Sequence, residues 1–278
     1  MLKNRTERIS NATIDRIYAE TTVRQKGFAM LTPHCHPYFE LFYVHSAECR
    51  FFIDNNVYGL GAGDFLLIPP EVFHYTRYLS GECKKSSLFF RGEDVDGSVV
   101  KAMPQEGGFF TDVRIFQTPE TFRGQIDGLI LKMAHEEKIA DRQTEPMLHA
   151  LLQELLLSCA RECNFPHGIP LNIHTTDRQI VLAAQFISNR YGENITAEDI
   201  AAAAGYSPNY LSRKFKESTG VGIHEYLTFI RLQKAAVELV STKDSVTDIA
   251  LRCGFSDGNY FKDVFKKKYG VTPREYRK

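Results

Sequence analysis

The sequence predicts two fold classes in series: a β-barrel or sandwich, then a wholly helical part built from a repeated unit. Three observations carry this. Short apolar runs separated by turn residues fill roughly residues 10–116. The apolar spacing then changes to a helical period near Thr118. Beyond residue 190, two stretches of about thirty residues each match one another position by position.

The strand-like runs are FELFYV (39–44), CRFFIDN (49–55), FLLIP (65–69) and SSLFF (86–90). DNN at 54–56 and GAGD at 61–64 supply turn residues between them. Many short strands at close spacing are the pattern of an all-β barrel or sandwich. Thr118-Pro119 reads as a helix cap followed by proline at the first helical position, with Phe122, Ile126, Leu129 and Met133 on one face. A second helix follows Thr144, with Leu148, Leu151, Leu152, Leu155 and Cys159 in line and Met147, Leu156 and Leu157 widening the stripe. Two readings of that stripe stand side by side: a face for a second subunit beside one for the barrel, or a single broad core face. NFPHGIPLNIHTT (164–176), with two prolines, a glycine and no helical period, is expected to be a linker.

TAEDIAAAAGYSPNYLSRKFKESTGVGIHEY (196–226) and SVTDIALRCGFSDGNYFKDVFKKKYGVTPREY (245–276) are the repeated segments. Each has the grammar of a helix-turn-helix. Thr196 caps a short helix, Gly205 ends it in a left-handed turn, and Ser207 caps the next helix with Pro208 at its first position. Ser245, Gly254 and Ser256 are the expected counterparts. Such units, spanning 196–220 and 245–270, present their second helices to a DNA major groove. Those helices carry Arg213, Lys214 and Lys216, then Lys262, Lys266, Lys267 and Lys268, with Asn209, Ser212 and Asn259 near their starts. The joining stretch, Ile223 to Ser241, reads as one helix of ~28 Å, close to the ~34 Å between successive major-groove turns.

Charge agrees with this division. The net charge is zero, yet residues 177–278 carry sixteen basic and twelve acidic residues, a net of +4, balanced by −4 in residues 1–176. No apolar run reaches the ~18–20 residues of a membrane span. The polar start MLKNRTERIS has no apolar stretch behind it, so a cytoplasmic protein is expected. The six cysteines contain no CxxC pair and are expected to be core thiols. The sequence holds no Walker loop, no GxGxxG after a strand, no nucleophile elbow and no HExxH. His45, His135 and His149 stand alone and are expected at the surface or in packing.

Residues 177–278 resemble the DNA-binding domain of the AraC/XylS family of bacterial transcription regulators. The stretches GYSPNYLSRKFKESTG, RLQKAAVELV and above all DIALRCGFSDGNYFKDVFKKKYGVTPREYR carry the resemblance. It implies base contacts from Asn209, Ser212 and Arg213 in the first unit and from Gly258, Asn259 and Lys262 in the second. Lys216, Lys266 and Lys267 complete the expected DNA-binding set. Asp263 departs from the pattern, standing where the family has a basic residue. A carboxylate there repels phosphate and suits only a cytosine amine, so the second unit is expected to anchor mainly on the backbone.

The resemblance extends to the N-terminal part. HCHPYFELFYV and GAGDFLLIPPEVFHY are similar to the cupin-type sensor barrel of many such regulators, which implies a jelly-roll barrel. In cupins these motifs supply metal ligands, here His34, His36, Glu40 and His74. Residues 34, 36 and 40 share strand parity. Imidazole and carboxylate suit a divalent transition metal. Glu71 and Ala47 stand in place of glycines, and Tyr78 in place of an asparagine. Sensor cupins of this family mostly bind organic effectors without metal, so an effector pocket rimmed by these four residues with Tyr38, Phe42 and Tyr75 is the leading expectation. A metal centre and plain barrel histidines are the alternatives.

The expected organisation is a cupin-like barrel (1–116), a helical dimerisation segment (117–163), the linker (164–176) and the double helix-turn-helix head (177–278). The expected function is sequence-specific DNA-binding regulation by a small-molecule effector, without catalysis. Double-stranded DNA, the effector, a second copy of the chain and RNA polymerase are the expected partners, with no membrane. A metal-dependent cupin enzyme carrying a DNA-binding tail is the alternative, and a barrel that only dimerises is a third reading.

Overall fold

The computed structural model describes residues 14, 16–28, 34–53, 56–78, 81–104, 108–165 and 175–277. The segment MLKNRTERIS, the turn residues Asp54 and Asn55, and linker residues 166–174 lie outside the described residues. The chain forms two compact units, Met1–Ile173 and His174–Lys278.

The first unit is built on two antiparallel sheets. Strands β1 (Tyr18–Gln25), β2 (Phe39–Val44), β5 (Asp64–Ile68), β7 (Glu82–Phe90) and β8 (Arg114–Gln117) form one, in the order β1-β7-β2-β5-β8. Strands β3 (Cys49–Ile53), β4 (Asn56–Leu60) and β6 (His74–Tyr78) form the other, in the order β4-β3-β6. Side chains alternate between faces along each strand. Phe42, Val44, Leu66 and Ile68 therefore point inward and meet Cys49, Phe51, Ile53, Tyr58 and Tyr78 from the smaller sheet. Leu41, Tyr43, Phe65, Leu67, Leu88 and Phe90 point outward from the larger sheet.

That outer face is apolar and must be covered. After a short helix α1 (Gly97–Ala102), helices α2 (Arg123–Ile139) and α3 (Thr144–Glu162) lie over it, burying Ile126, Ile130 and Met133 from α2. The Leu148, Leu151, Leu152, Leu155 and Cys159 stripe of α3 joins the same core, as does Leu156. For these residues the core-face reading holds: the sheet beneath them takes up their apolar surface. Only Met147 and Leu157 of the widened stripe remain exposed, at 37% and 43%. The start of α2 also differs from expectation. The Thr118 N–H donates to the Gly63 carbonyl, which holds Thr118 to the sheet, so the chain turns one residue later. Pro119 then caps a 3-10 turn, Glu120–Phe122, that runs into α2. Asp141, two residues before the N-cap Gln143, accepts from the Gln143 and Thr144 amides where α3 begins.

The second unit is helical throughout its described length: α4 (Thr175–Arg190), α5 (Ala197–Ala204), α6 (Pro208–Thr219), α7 (Ile223–Ser241), α8 (Val246–Arg252), α9 (Gly258–Tyr269) and α10 (Pro273–Tyr276). Thr196 and Asp199 form a reciprocal capping box on α5, and Gly205 ends it at φ +70°. Ser245 caps α8 by accepting from the Asp248 amide. For α9 the cap is Asp257, which accepts from the Asn259 and Tyr260 amides, not Ser256. The extra residue of the second turn moves the cap one position along. Phe255, Phe261 and Phe265 fill the core between α7, α8 and α9.

Candidate functional site

At one end of the barrel interior, His34 and His74 pair through reciprocal backbone hydrogen bonds of 3.1 and 3.0 Å, which carry the chain before β2 onto the smaller sheet. Glu40 arrives from the inner face of β2, four residues after His36. The Glu71 amide, at the turn before β6, donates to the His36 carbonyl. Glu71 and Ala47, the two residues standing in place of glycines, both adopt the left-handed region, at φ +61° and +65°. The backbone turns are thus kept although each costs ~1–2 kcal/mol with a side chain present.

Hydrogen bonding sets how the imidazoles face. His36 Nδ1 donates to the Tyr38 carbonyl at 2.8 Å and His74 Nδ1 to the Val72 carbonyl at 3.0 Å. Both Nε2 atoms then point at one oxygen, Glu40 Oε2, at 3.3 and 3.4 Å. The His74 contact is in ion-pair range but off hydrogen-bond alignment, and His74 Nε2 is buried without a hydrogen-bond partner. Burial pushes the Glu40 carboxyl up, but the two histidines outweigh it and hold it well below the usual carboxylate range. An uncharged Nε2 lone pair facing a carboxylate gains nothing, so the arrangement calls for a proton, a donor group or a cation between them. His34, His36 and His74 each offer a ligand atom, all within 4.8 Å of one another. This donor set fits a divalent transition metal.

The aromatic rim divides. Tyr38 is buried and stacks on His36, with centroids 4.4 Å apart and planes 5° from parallel. Phe42 also points inward but lies deeper, packed on Phe51 at 4.7 Å. Tyr75 does not belong to the pocket: it pairs with Phe52, and alternation turns it to the face opposite His74. Sequence reasoning missed a second inward polar group. Lys85 Nζ is buried 3.0 Å from Glu20 Oε1 and 2.8 Å from Ser87 Oγ, above the Phe42 ring. The signal was present in ECKKSSLFF, where alternation puts Cys83, Lys85, Ser87 and Phe89 on one face.

In the second unit, α6 exposes Asn209, Ser212, Arg213 and Lys216, and α9 exposes Asn259, Lys262, Asp263, Lys266 and Lys267, with Gly258 half-buried at its start. Both sets follow helical spacing while Leu211, Phe215, Phe261 and Phe265 hold the opposite faces in the core. Arg213 lies over the Tyr210 ring at 5.4 Å, and Tyr210 packs on Tyr206 at 4.8 Å. Two of the lysines these helices carry are engaged within the unit. Lys214 pairs with Glu217 at 3.2 Å, and Lys268 is half-buried over the Phe229 ring at 3.4 Å.

A β-barrel with an inward polar cluster, joined to two helix-turn-helix units with basic exposed helices, defines a ligand-responsive DNA-binding regulator. Comparison with known proteins agrees. Residues 19–156 match the AraC-like ligand binding domain and residues 200–278 a helix-turn-helix domain. The chain belongs to the AraC family of transcriptional regulators. It is 24% identical over 271 residues to the HTH-type transcriptional activator RhaS of Klebsiella pneumoniae, covering 96% of this chain and 93% of that one. It is 37% identical over 102 residues to the xylose operon regulatory protein of Escherichia coli, covering 37% and 26%. Among solved structures, ToxT of Vibrio cholerae aligns over 95% of this chain and 98% of its own at 14% identity and a TM-score of 0.36. Among the described residues no helix is long and apolar enough to cross a membrane.

Proposed function

We propose that the chain is a cytoplasmic, dimeric transcription regulator whose sensing site is the His34, His36, Glu40 and His74 cluster, with Tyr38 as its wall and Phe42 beneath. The observation that carries this is the buried His74 Nε2, which has no hydrogen-bond partner and faces the Glu40 carboxylate. An organic effector presenting an ammonium, whose several N–H groups can reach both acceptors, satisfies both groups at once. The barrel does no turnover chemistry in this reading; the relatives are regulators. The three convergent imidazoles favour a second reading in which His34, His36 and His74, with Glu40, hold a divalent transition metal that supplies a Lewis-acidic anchor for the effector. The test is metal analysis of full-length protein purified without a histidine tag, followed by thermal-shift titration with metabolites and divalent metals. A stoichiometric metal lost in both His36→Ala and His74→Ala selects the metal reading. A metabolite shift lost in the same variants, without metal, selects the organic one. Substrate turnover, or no shift with any compound or metal, counts against a sensor.

In the head, Asn209, Ser212 and Arg213 read bases from α6. Gly258, Asn259 and Lys262 meet the DNA from α9, and Lys216, Lys266 and Lys267 meet phosphates. Exposure of all of these but the half-buried Gly258, on helices that precede and follow the 19-residue α7, supports the assignment. Residues 1–116 serve as sensor, 117–163 as the dimerisation segment, 164–176 as linker and 177–278 as head. With the leucine stripe in the core, the subunit contact falls on what α2 and α3 leave exposed, namely Leu131, Ile139, Met147 and Leu157. RNA polymerase is the remaining partner of a regulator of this kind.

A further inference from the structure

The outer face of β2 carries a polar network under α2, separate from the inward cluster. His45, one residue past β2, places Nδ1 2.9 Å from Asp127 Oδ1 on α2 and Nε2 2.8 Å from Ser86 Oγ on β7. Ser86 Oγ lies 2.7 Å from Thr21 Oγ1 on β1. Tyr43, two residues before His45, lies on the same outward face, where burial pushes its phenol up. A carboxylate only accepts, so His45 Nδ1 carries the proton. Burial holds the imidazole below its ordinary pKa, so Nε2 accepts from Ser86 and Thr21 donates to Ser86. The order Ser–His–Asp is that of a hydrolase, but Ser86 is wholly buried in mid-strand and its oxygen is shared with Thr21, so no acyl donor can reach it.

What the network does is join α2 to one strand. Apart from the Arg16–Glu137 ion pair at 2.8 Å just before β1, the α2 contact runs through Ile126, Ile130 and Met133, and such aliphatic packing has little directional preference. The Asp127 contact is directional. It grips the chain at His45, at the end of β2, while the opposite face of the same strand presents Glu40 to the histidines about 16 Å away at ~3.3 Å per residue. We propose that Asp127, through His45, is the positioning contact that transmits a change at the Glu40 cluster to helix α2. This rests on the cluster being the sensing site, though its test needs no effector.

The test is a double-mutant cycle in the full chain, read by amide hydrogen exchange of peptides covering residues 123–139. Glu40→Gln perturbs the cluster and Asp127→Asn weakens the contact. Each alone is expected to speed exchange of α2 about tenfold, the worth of one hydrogen bond to a charged group. In the double variant the Glu40→Gln effect is expected to vanish, and Asp127→Glu is expected to restore it. If Glu40→Gln loosens β3 and β4 as well, His74→Gln takes its place in the same cycle. Multiplying, independent effects overturn the proposal, as does α2 exchange that ignores the cluster variant. Failure of the cluster to bind any ligand is a separate result, read in the titrations above.

Discussion

Gly254→Ala should cost far more than the same change at its repeat counterpart, Gly205. Both glycines sit in the left-handed region, at φ +85° and +70°. Each substitution therefore incurs the ~1–2 kcal/mol that a Cβ adds there. Their surroundings differ. A Cβ on Gly205 meets nothing closer than Gln179 Nε2 at 3.8 Å, an ordinary contact. A Cβ on Gly254 falls 2.6 Å from the Tyr191 carbonyl oxygen and 2.7 Å from Arg231 Nε. Those two atoms are themselves bonded, since Arg231 Nε donates to Tyr191 O at 2.8 Å while Arg231 also donates to the Glu193 carbonyl at 2.9 Å. The Cβ therefore displaces a charge-assisted bond worth ~1.5–3 kcal/mol, for a total of ~2.5–5 kcal/mol against ~1–2 at Gly205. Urea denaturation of the full chain, with the helical unit followed by circular dichroism, measures both. Equal losses would refute the argument, because they would leave only the shared backbone strain.

Arg213→Ala should lose ~1–3 kcal/mol of affinity for a selected operator and much less for random duplex; equal losses in a binding assay would make it a phosphate contact. Lys267→Ala should weaken both DNAs alike and lower the slope of log K against log salt by about 1, measured across a salt series; an unchanged slope speaks against a phosphate role. Leu155→Ala should cost ~2–5 kcal/mol because it opens the core between sheet and helix, while Leu157→Ala stays within about 0.5 kcal/mol. The reverse order in thermal melts would return the leucine stripe to the surface. Burial first, then the Glu238 carboxylate, pushes the Cys253 thiol up to about 12. It should resist iodoacetamide at pH 8 until the helical unit unfolds; labelling as fast as that of unfolded chain, seen by peptide mass, would contradict its place in the core.

Local signals in the sequence sufficed where short-range geometry decides the outcome. The span Ile223–Ser241 is one helix with those same ends because a glycine precedes it and an uninterrupted 3.6-residue period runs through it. The paired glycines of the repeat, Gly205 with Gly254 and Gly220 with Gly270, stand where positive φ is required, which follows from sterics of two or three residues. The histidine cluster was readable too, since strand parity put residues 34, 36 and 40 on one side. Asp257 was missed as a cap because Ser256 is an equally good capping type.

What the sequence alone determined is the alternation of each strand, the period of each helix, the duplication and its exposed basic faces. Tertiary structure decided which surface covers which. Leu148, Leu151, Leu152, Leu155 and Leu156 of α3 are core because a sheet from residues far earlier presents an apolar face to them. Tyr75 leaves the pocket because pairing with β3 fixes the side on which His74 enters. His45, unremarkable in the sequence, is buried and bonded because Asp127 and Ser86, 82 and 41 residues away, meet it. Period and propensity are set by neighbours within a few residues, whereas burial and hydrogen-bond partners depend on chain segments that only the closed fold brings together.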